Sequence, residues 1–239
     1  MKPGTAGTSP LLAVERAFTL SWPEPDIALL TLDLVGKGAN VLSRSVLAEL
    51  HEHLLALQAR TDMAGLVIKS GKPGTFIAGA DLREFVAQLN APKDQVVALC
   101  KTGQGLFGLL SQTPFVTVAA IDGICVGGGA ELACWCDRRI VTTHPKTEIG
   151  FPEVKLGLFP GWGGTVRAPR IVGLANALEM ITSGESIDSK AAMLLGLASD
   201  RVPPEDLLPA AIRLIHDEQR AGQYLKDRKR WNGDRKSVV

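Results

Sequence analysis

The sequence is short of the features that usually mark a nucleic-acid, membrane or metal protein. Excess charge is missing: 26 Lys and Arg against 25 Asp and Glu leave a net charge of +1, so no global field favours a polyanion or a membrane surface. Long apolar runs are missing too. None approaches the ~18 residues of a membrane-spanning helix, and "MKPGTAGTSPLLAVE" lacks the apolar centre of a signal peptide. Cysteine is sparse. Cys100, Cys125, Cys134 and Cys136 lie in apolar company without ligand spacing or a disulfide framework, which fits small buried thiols in a reducing cytoplasm. The histidines add no site. His51 and His53 fall two apart on one helix and do not face each other, and His144 and His216 have no ligand-spaced partner, so no metal is implied. No G-x-S-x-G elbow signals a serine nucleophile. One local excess breaks the charge balance: residues 220–239, "RAGQYLKDRKRWNGDRKSVV", are strongly basic. A solvated terminal helix or tail is the preferred reading over a polyanion-binding arm.

What is present is an ordinary globular composition, 46% hydrophobic and 21% charged over 239 residues, enough for one large core. Past a Gly/Ser/Thr/Pro-rich leader (1–24), "DIALLTLDLV" (26–35), "AGLVIKS" (64–70) and "PFVTVAAI" (114–121) read as buried strands. Shorter strands are expected at 138–143 and 147–150. Helical patterns fill 43–60, 81–89, 92–110, about 129–136, the later part of 151–173, 174–184 and 188–196. "GKPGTFIAGAD" (71–81) reads as a glycine-bearing loop. Strands alternating with helices predict an α/β fold with largely parallel strands, without an internal repeat of solenoid spacing. The chain divides into the leader, a core over 25–205 and a helical, basic segment over 206–239.

The most informative stretch is "IDGICVGGGAELACWCD" (121–137). Three consecutive glycines are costly in a helix or strand, so something approaches the backbone closely. The run matches neither the phosphate-loop nor the dinucleotide fingerprint, and Glu131 in the first helical turn is a poor neighbour for a phosphate. Close helix–sheet packing explains a glycine run alone, but not a second glycine loop at 71–81 that also follows a strand. Two such loops from neighbouring strands can converge backbone N–H groups on one oxygen that becomes negative during reaction. Glu153 in "FPEVKLG" supplies a second carboxylate among apolar neighbours. Two carboxylates in a dry pocket have their proton affinities pushed apart, leaving one as acid and one as base.

"FIAGADLREF", "AAIDGICVGGGAELACWCD", "FPEVKLGLFPGWGGTVRAPRIVG" and "ITSGESIDSKAAMLLGLASDRV" resemble the crotonase, or enoyl-CoA hydratase/isomerase, superfamily over about 25–205. The resemblance implies a spiral of ββα units with a helical C-terminal region, assembled as trimers, hexamers or part of a multienzyme complex. It assigns the oxyanion donors to the N–H groups of Ala80 and Gly128, and the catalytic acids to Glu131 and Glu153. Lys37 matches a residue contacting the coenzyme A nucleotide, and Ala78, Asp81 and Leu82 match the segment along its pantetheine arm. Having both glutamates implies hydration of a trans-2-enoyl-CoA to a 3-hydroxyacyl-CoA, with the thioester as substrate and no separate cofactor. Within the superfamily, "KLGLFPGWGGTVRAPRIVG" and "YLKDRKRW" are most similar to the hydratase region of the multifunctional subunit of fatty-acid β-oxidation. No dehydrogenase sequence follows here, and the helical arm that closes the pocket in stand-alone hydratases is expected to be truncated. Trp162 and Phe151 are bulky enough to restrict an acyl pocket, with core packing the preferred role for both. Two alternatives stay open: a double-bond isomerase or other enolate-forming enzyme based on Glu153, and a catalytically silent acyl-CoA-binding module.

Overall fold

A computed structural model describes residues 16–86 and 91–232. Most of the leader, the end of the helix expected at 81–89 and the last seven residues lie outside it. The apolar runs form the centre of a six-stranded sheet. β1 (Phe18–Glu24) pairs antiparallel with β2 (Ile27–Leu32), and β3 (Gly65–Ser70), β5 (Val116–Ile121), β7 (Arg138–Thr142) and β10 (Asp200–Val202) continue it in parallel. A smaller sheet holds β4 (Thr75–Ala78), β6 (Ile124–Val126) and β8 (Glu148–Gly150) in parallel, with β9 (Ile187–Asp188) antiparallel at its edge.

The central strands are apolar at nearly every position because both faces of the large sheet are covered. One face carries Leu30, Leu66, Ile68, Ala119 and Ile121 into the main core, against α1 (Arg44–Gln58) and the small sheet. The other carries Leu29, Val67, Val118 and Ile140 against Leu207, Ala211 and Ile215 of α8 (Leu207–Ala221). Helix α1 starts at Ser43, whose hydroxyl accepts the Val46 N–H, and it buries Val46, Leu50, Leu54 and Leu57 on one stripe.

The chain visits the two sheets alternately. β3 leads to β4 and α2 (Leu82–Val86), with α3 (Lys93–Gly108) following. β5 leads to β6 and α4 (Gly128–Trp135), and β7 to β8 and a 3-10 turn (Pro152–Leu156). This is the expected spiral of ββα units. Unequal insertions between the units explain why no fixed period shows in the sequence. Helices α5 (Gly164–Val172), α6 (Leu174–Ser183) and α7 (Ser189–Leu194) complete the core, and α9 (Gln223–Asn232) follows α8.

Three expectations need correction. β1 lies in residues read as leader, where it extends the large sheet. Segment 71–81 contains β4, and β6, β9 and β10 were not anticipated; strands of two to four residues exist through pairing, not through their own pattern. The basic C-terminal stretch is not a solvated tail over its described part, where the helical segment expected over 206–239 is present as α8 and α9. Tyr224, Arg228 and Trp231 of α9 are buried. The Arg228 guanidinium donates to Asp137 at 2.6 Å and to the carbonyls of Thr113 and Phe115 at 2.6 and 2.8 Å. Beside it, Arg138 pairs with Glu218 at 2.6 Å and Asp227 at 2.9 Å.

Candidate active site

The small sheet sets out the site by register. Ala78 pairs with Val126 and Val126 with Gly150 across three parallel neighbours. Two residues beyond the first pair stand Ala80 and Gly128, and three beyond Gly150 stands Glu153. All therefore leave the same edge, at the carboxyl ends of adjacent strands. Backbone hydrogen bonds run around the two amides. Leu42 N–H donates to the Gly79 carbonyl, Asp81 N–H to Leu42, Gly127 N–H to Gly150 and Glu131 N–H to Gly127. Among the described residues, none of these bonds engages the N–H of Ala80 or Gly128. Gly128 also opens α4, where the first-turn N–H groups lack intrahelical partners and carry the positive end of the helix dipole.

Glu131 lies one turn into α4 and is 3% exposed. Its Oε1 accepts from Trp162 N–H and Gly164 N–H, each at 2.8 Å. Burial outweighs these amides, and with a contribution from the Glu153 charge it pushes the Glu131 carboxyl up to about 7. Glu153 sits in the 3-10 turn, and burial raises its carboxyl as well. Its Oε2 is enclosed without a hydrogen-bond partner among the described residues. No basic side chain offsets the burial of either group. Burial and the neighbouring Glu153 charge thus both favour a protonated Glu131, and burial favours a protonated Glu153.

Each glycine of the run has a different task. Gly127 adopts φ +53 and ψ −127, and a Cβ there would lie 3.4 Å from Glu153 Oε1 and 3.6 Å from Gly79 Cα. A Cβ on Gly128 would fall 2.6 Å from Trp162 Cζ3, and one on Gly129 would fall 2.5 Å from the Ile77 carbonyl of β4. The packing role and the exposed-amide role thus occur side by side, on neighbouring residues.

The other expected residues are placed less tightly. Lys37 is exposed in the β2–α1 loop, which is tied to the site edge where Ala78 N–H donates to Asn40 and Leu42 N–H to Gly79. Ala78 is half-buried at the end of β4. Asp81 pairs with Arg83 at 3.1 Å, and Leu82 is exposed at the start of α2. Of the two bulky residues, Phe151 is fully buried in the core, whereas Trp162 is only partly buried. Sequence reasoning missed the 162–164 segment that holds Glu131, and also Trp135. Trp135 Nε1–H donates to the Trp162 carbonyl at 2.8 Å, so α4 grips that segment with two side chains one turn apart. The glycines of "PGWGG" were the available signal. Cys125, Cys134 and Cys136 are buried thiols; burial pushes Cys134 up to about 11 and Cys136 to about 12.

A family model for enoyl-CoA hydratase/isomerase matches residues 25–224. The chain belongs to the enoyl-CoA hydratase/isomerase family. Among solved structures of similar fold is an enoyl-CoA hydratase from Bacillus anthracis, 30% identical, with a TM-score of 0.77 over 84% of this chain and 76% of that one. DspI from Pseudomonas aeruginosa is 29% identical, with a TM-score of 0.77 over 89% of this chain and 78% of its own. An enoyl-CoA hydratase/carnithine racemase from Magnetospirillum magneticum is 26% identical, with a TM-score of 0.78 over 91% and 79%. Like other crotonase-fold proteins, this family member builds its core from ββα units, and no helix among its described residues is long and apolar enough to cross a membrane.

Proposed function

We propose that this family member is an enoyl-CoA hydratase that adds water to a trans-2-enoyl-CoA. The observation that carries the reading is a buried Glu131 and a half-buried Glu153 with an enclosed Oε2, neither offset by a cation, beside two N–H groups left free of backbone bonds on adjacent strand ends. In this reading the thioester oxygen lies against Ala80 and Gly128 N–H. A water between the glutamates bonds through its oxygen to C3 and gives its proton to the ionised carboxylate. The electron pair moves to the thioester oxygen, where the two amides and the α4 dipole hold the enolate. The protonated carboxyl then delivers its proton to C2, giving the 3-hydroxyacyl-CoA. The thioester is itself the substrate, and Lys37, Ala78, Asp81 and Leu82 are assigned to the coenzyme arm.

A double-bond isomerase is the second reading. It is favoured by one asymmetry: Glu131 is tied to two amides, while Glu153 Oε2 is unpartnered, so Glu153 is the freer base. The test is loss of the conjugated thioester's ultraviolet absorbance with trans-2-butenoyl-CoA. Glu131→Gln and Glu153→Gln are each expected to lower kcat by about 10²–10⁴-fold. Activity surviving in both variants would sink the two-carboxylate mechanism. Loss confined to Glu153→Gln would favour the isomerase. Thioester binding without turnover in the unaltered protein would favour a silent binding module.

A further inference from the structure

The geometry points to Trp162 as the residue that sets acyl chain length, its indole closing the tail end of the site so that short enoyl thioesters are the substrates. This inference rests on the hydratase reading. Trp162 N–H donates to Glu131 Oε1, so its side chain begins next to the carboxylate assigned to C3 chemistry. The indole then runs across the gap between α3 and α4. At one end, Cδ1 lies so close to Gly103 of α3 that a Cβ there would stand 2.3 Å away. At the other, Cζ3 lies against Gly128, where an added Cβ would be 2.6 Å away and would also meet Leu42 Cδ1 at 3.4 Å. Phe107 abuts the ring edge-on, with centroids 5.6 Å apart and planes at 89°.

Both ends of the ring therefore rest on glycines. These contacts with α3 and α4 hold the ring across the gap between them. In the proposed reaction the thioester oxygen is fixed at Gly128, and C3 lies by Glu131. The tail beyond C3 must leave past these residues, which is where the indole stands. A tail of one or a few carbons packs on the accessible part of the ring. A long one collides with it. Phe151 cannot play this part, being fully buried.

The experiment compares kcat/KM for trans-2-butenoyl-CoA and trans-2-decenoyl-CoA in the unaltered protein and in Trp162→Ala. The unaltered protein should favour the short substrate by about tenfold or more, and Trp162→Ala should raise the long-to-short ratio by about tenfold or more. Equal use of both substrates by the unaltered protein would overturn the inference, as would an unchanged ratio in the folded variant. If Trp162→Ala does not fold, Trp162→Leu is read in its place. Titration calorimetry of the saturated butanoyl- and decanoyl-CoA separates this inference from the hydratase reading. Tighter binding of the short thioester without any turnover would retain the length gate and reject the hydratase. Equal or inverted affinities would reject the gate whatever the turnover.

Discussion

Helix α4 has a buried carboxylate at each end, and the two are treated in opposite ways. Asp137, just past its C-terminus, is 1% exposed and fully compensated: Arg228 pairs with it through two nitrogens, and it accepts from the Thr117 N–H at 2.8 Å. Glu131, in the first turn, is 3% exposed and receives main-chain amides but no cation. Both sites remove a charge from water, which is costly unless the charge is paired. At Asp137 the chain supplies the counter-charge from its C-terminal helix. At Glu131 it withholds one, and an adjacent second acid raises the cost further. A buried carboxylate left uncompensated is tolerated where its proton is to be exchanged. The difference separates a group that holds the fold together from one that is held ready.

The largest test of this contrast removes the compensation. Arg228→Ala should lower stability by about 3–5 kcal/mol, since it strands Asp137 without a partner. Chemical denaturation would show it, and Asp137→Asn in the same background should recover part of the loss. The second test uses pH. Glu131 binds its proton up to about pH 7 when folded, against 4.5 for an ordinary glutamate. Between those values the folded state holds a proton that the unfolded chain has released, so rising pH favours unfolding there and has no further effect through this group above about 7. Relative to the unaltered protein, Glu131→Gln should therefore be more stable at pH 8 than at pH 4.5 by on the order of 3 kcal/mol. Equal pH dependence of the two melting temperatures would contradict it. A smaller effect is expected at Trp135→Phe, which keeps an aromatic ring but leaves the Trp162 carbonyl without its donor. A loss of about 1 kcal/mol should appear in denaturant titration. The smallest belongs to the exposed Lys155–Glu185 pair: Lys155→Ala should change stability by no more than about 0.5 kcal/mol.

The parts of this fold that were readable from sequence are those whose pattern is local. β2, β3 and β5 are continuous apolar runs, and α1 has both a stripe and a cap, so neither needed a partner to be seen. The glycine run with Glu131, and the oddly placed Glu153, were readable because each breaks a compositional habit. What escaped depends on distant partners. β6 is three residues long and exists because β4 and β8 flank it. β1 carries Pro23 and alternates weakly, and it becomes a strand by extending β2. The amides of Trp162 and Gly164 are main-chain groups, invisible in residue type, and only the fold brings them to Glu131. Arg228 looked like one more surface cation because its partner lies far back in the sequence.

That separation, 91 residues between Arg228 and Asp137, bears on how the protein is made. Synthesis runs from the N-terminus, so α4 and the strands around Asp137 leave the ribosome well before the arginine that neutralises it. Until α9 emerges, Asp137 lacks the guanidinium that pairs with it in the folded chain, and burying it unpaired is costly. The pairing of Asp137 is thereby tied to the arrival of α9, long after the strands around it have been made.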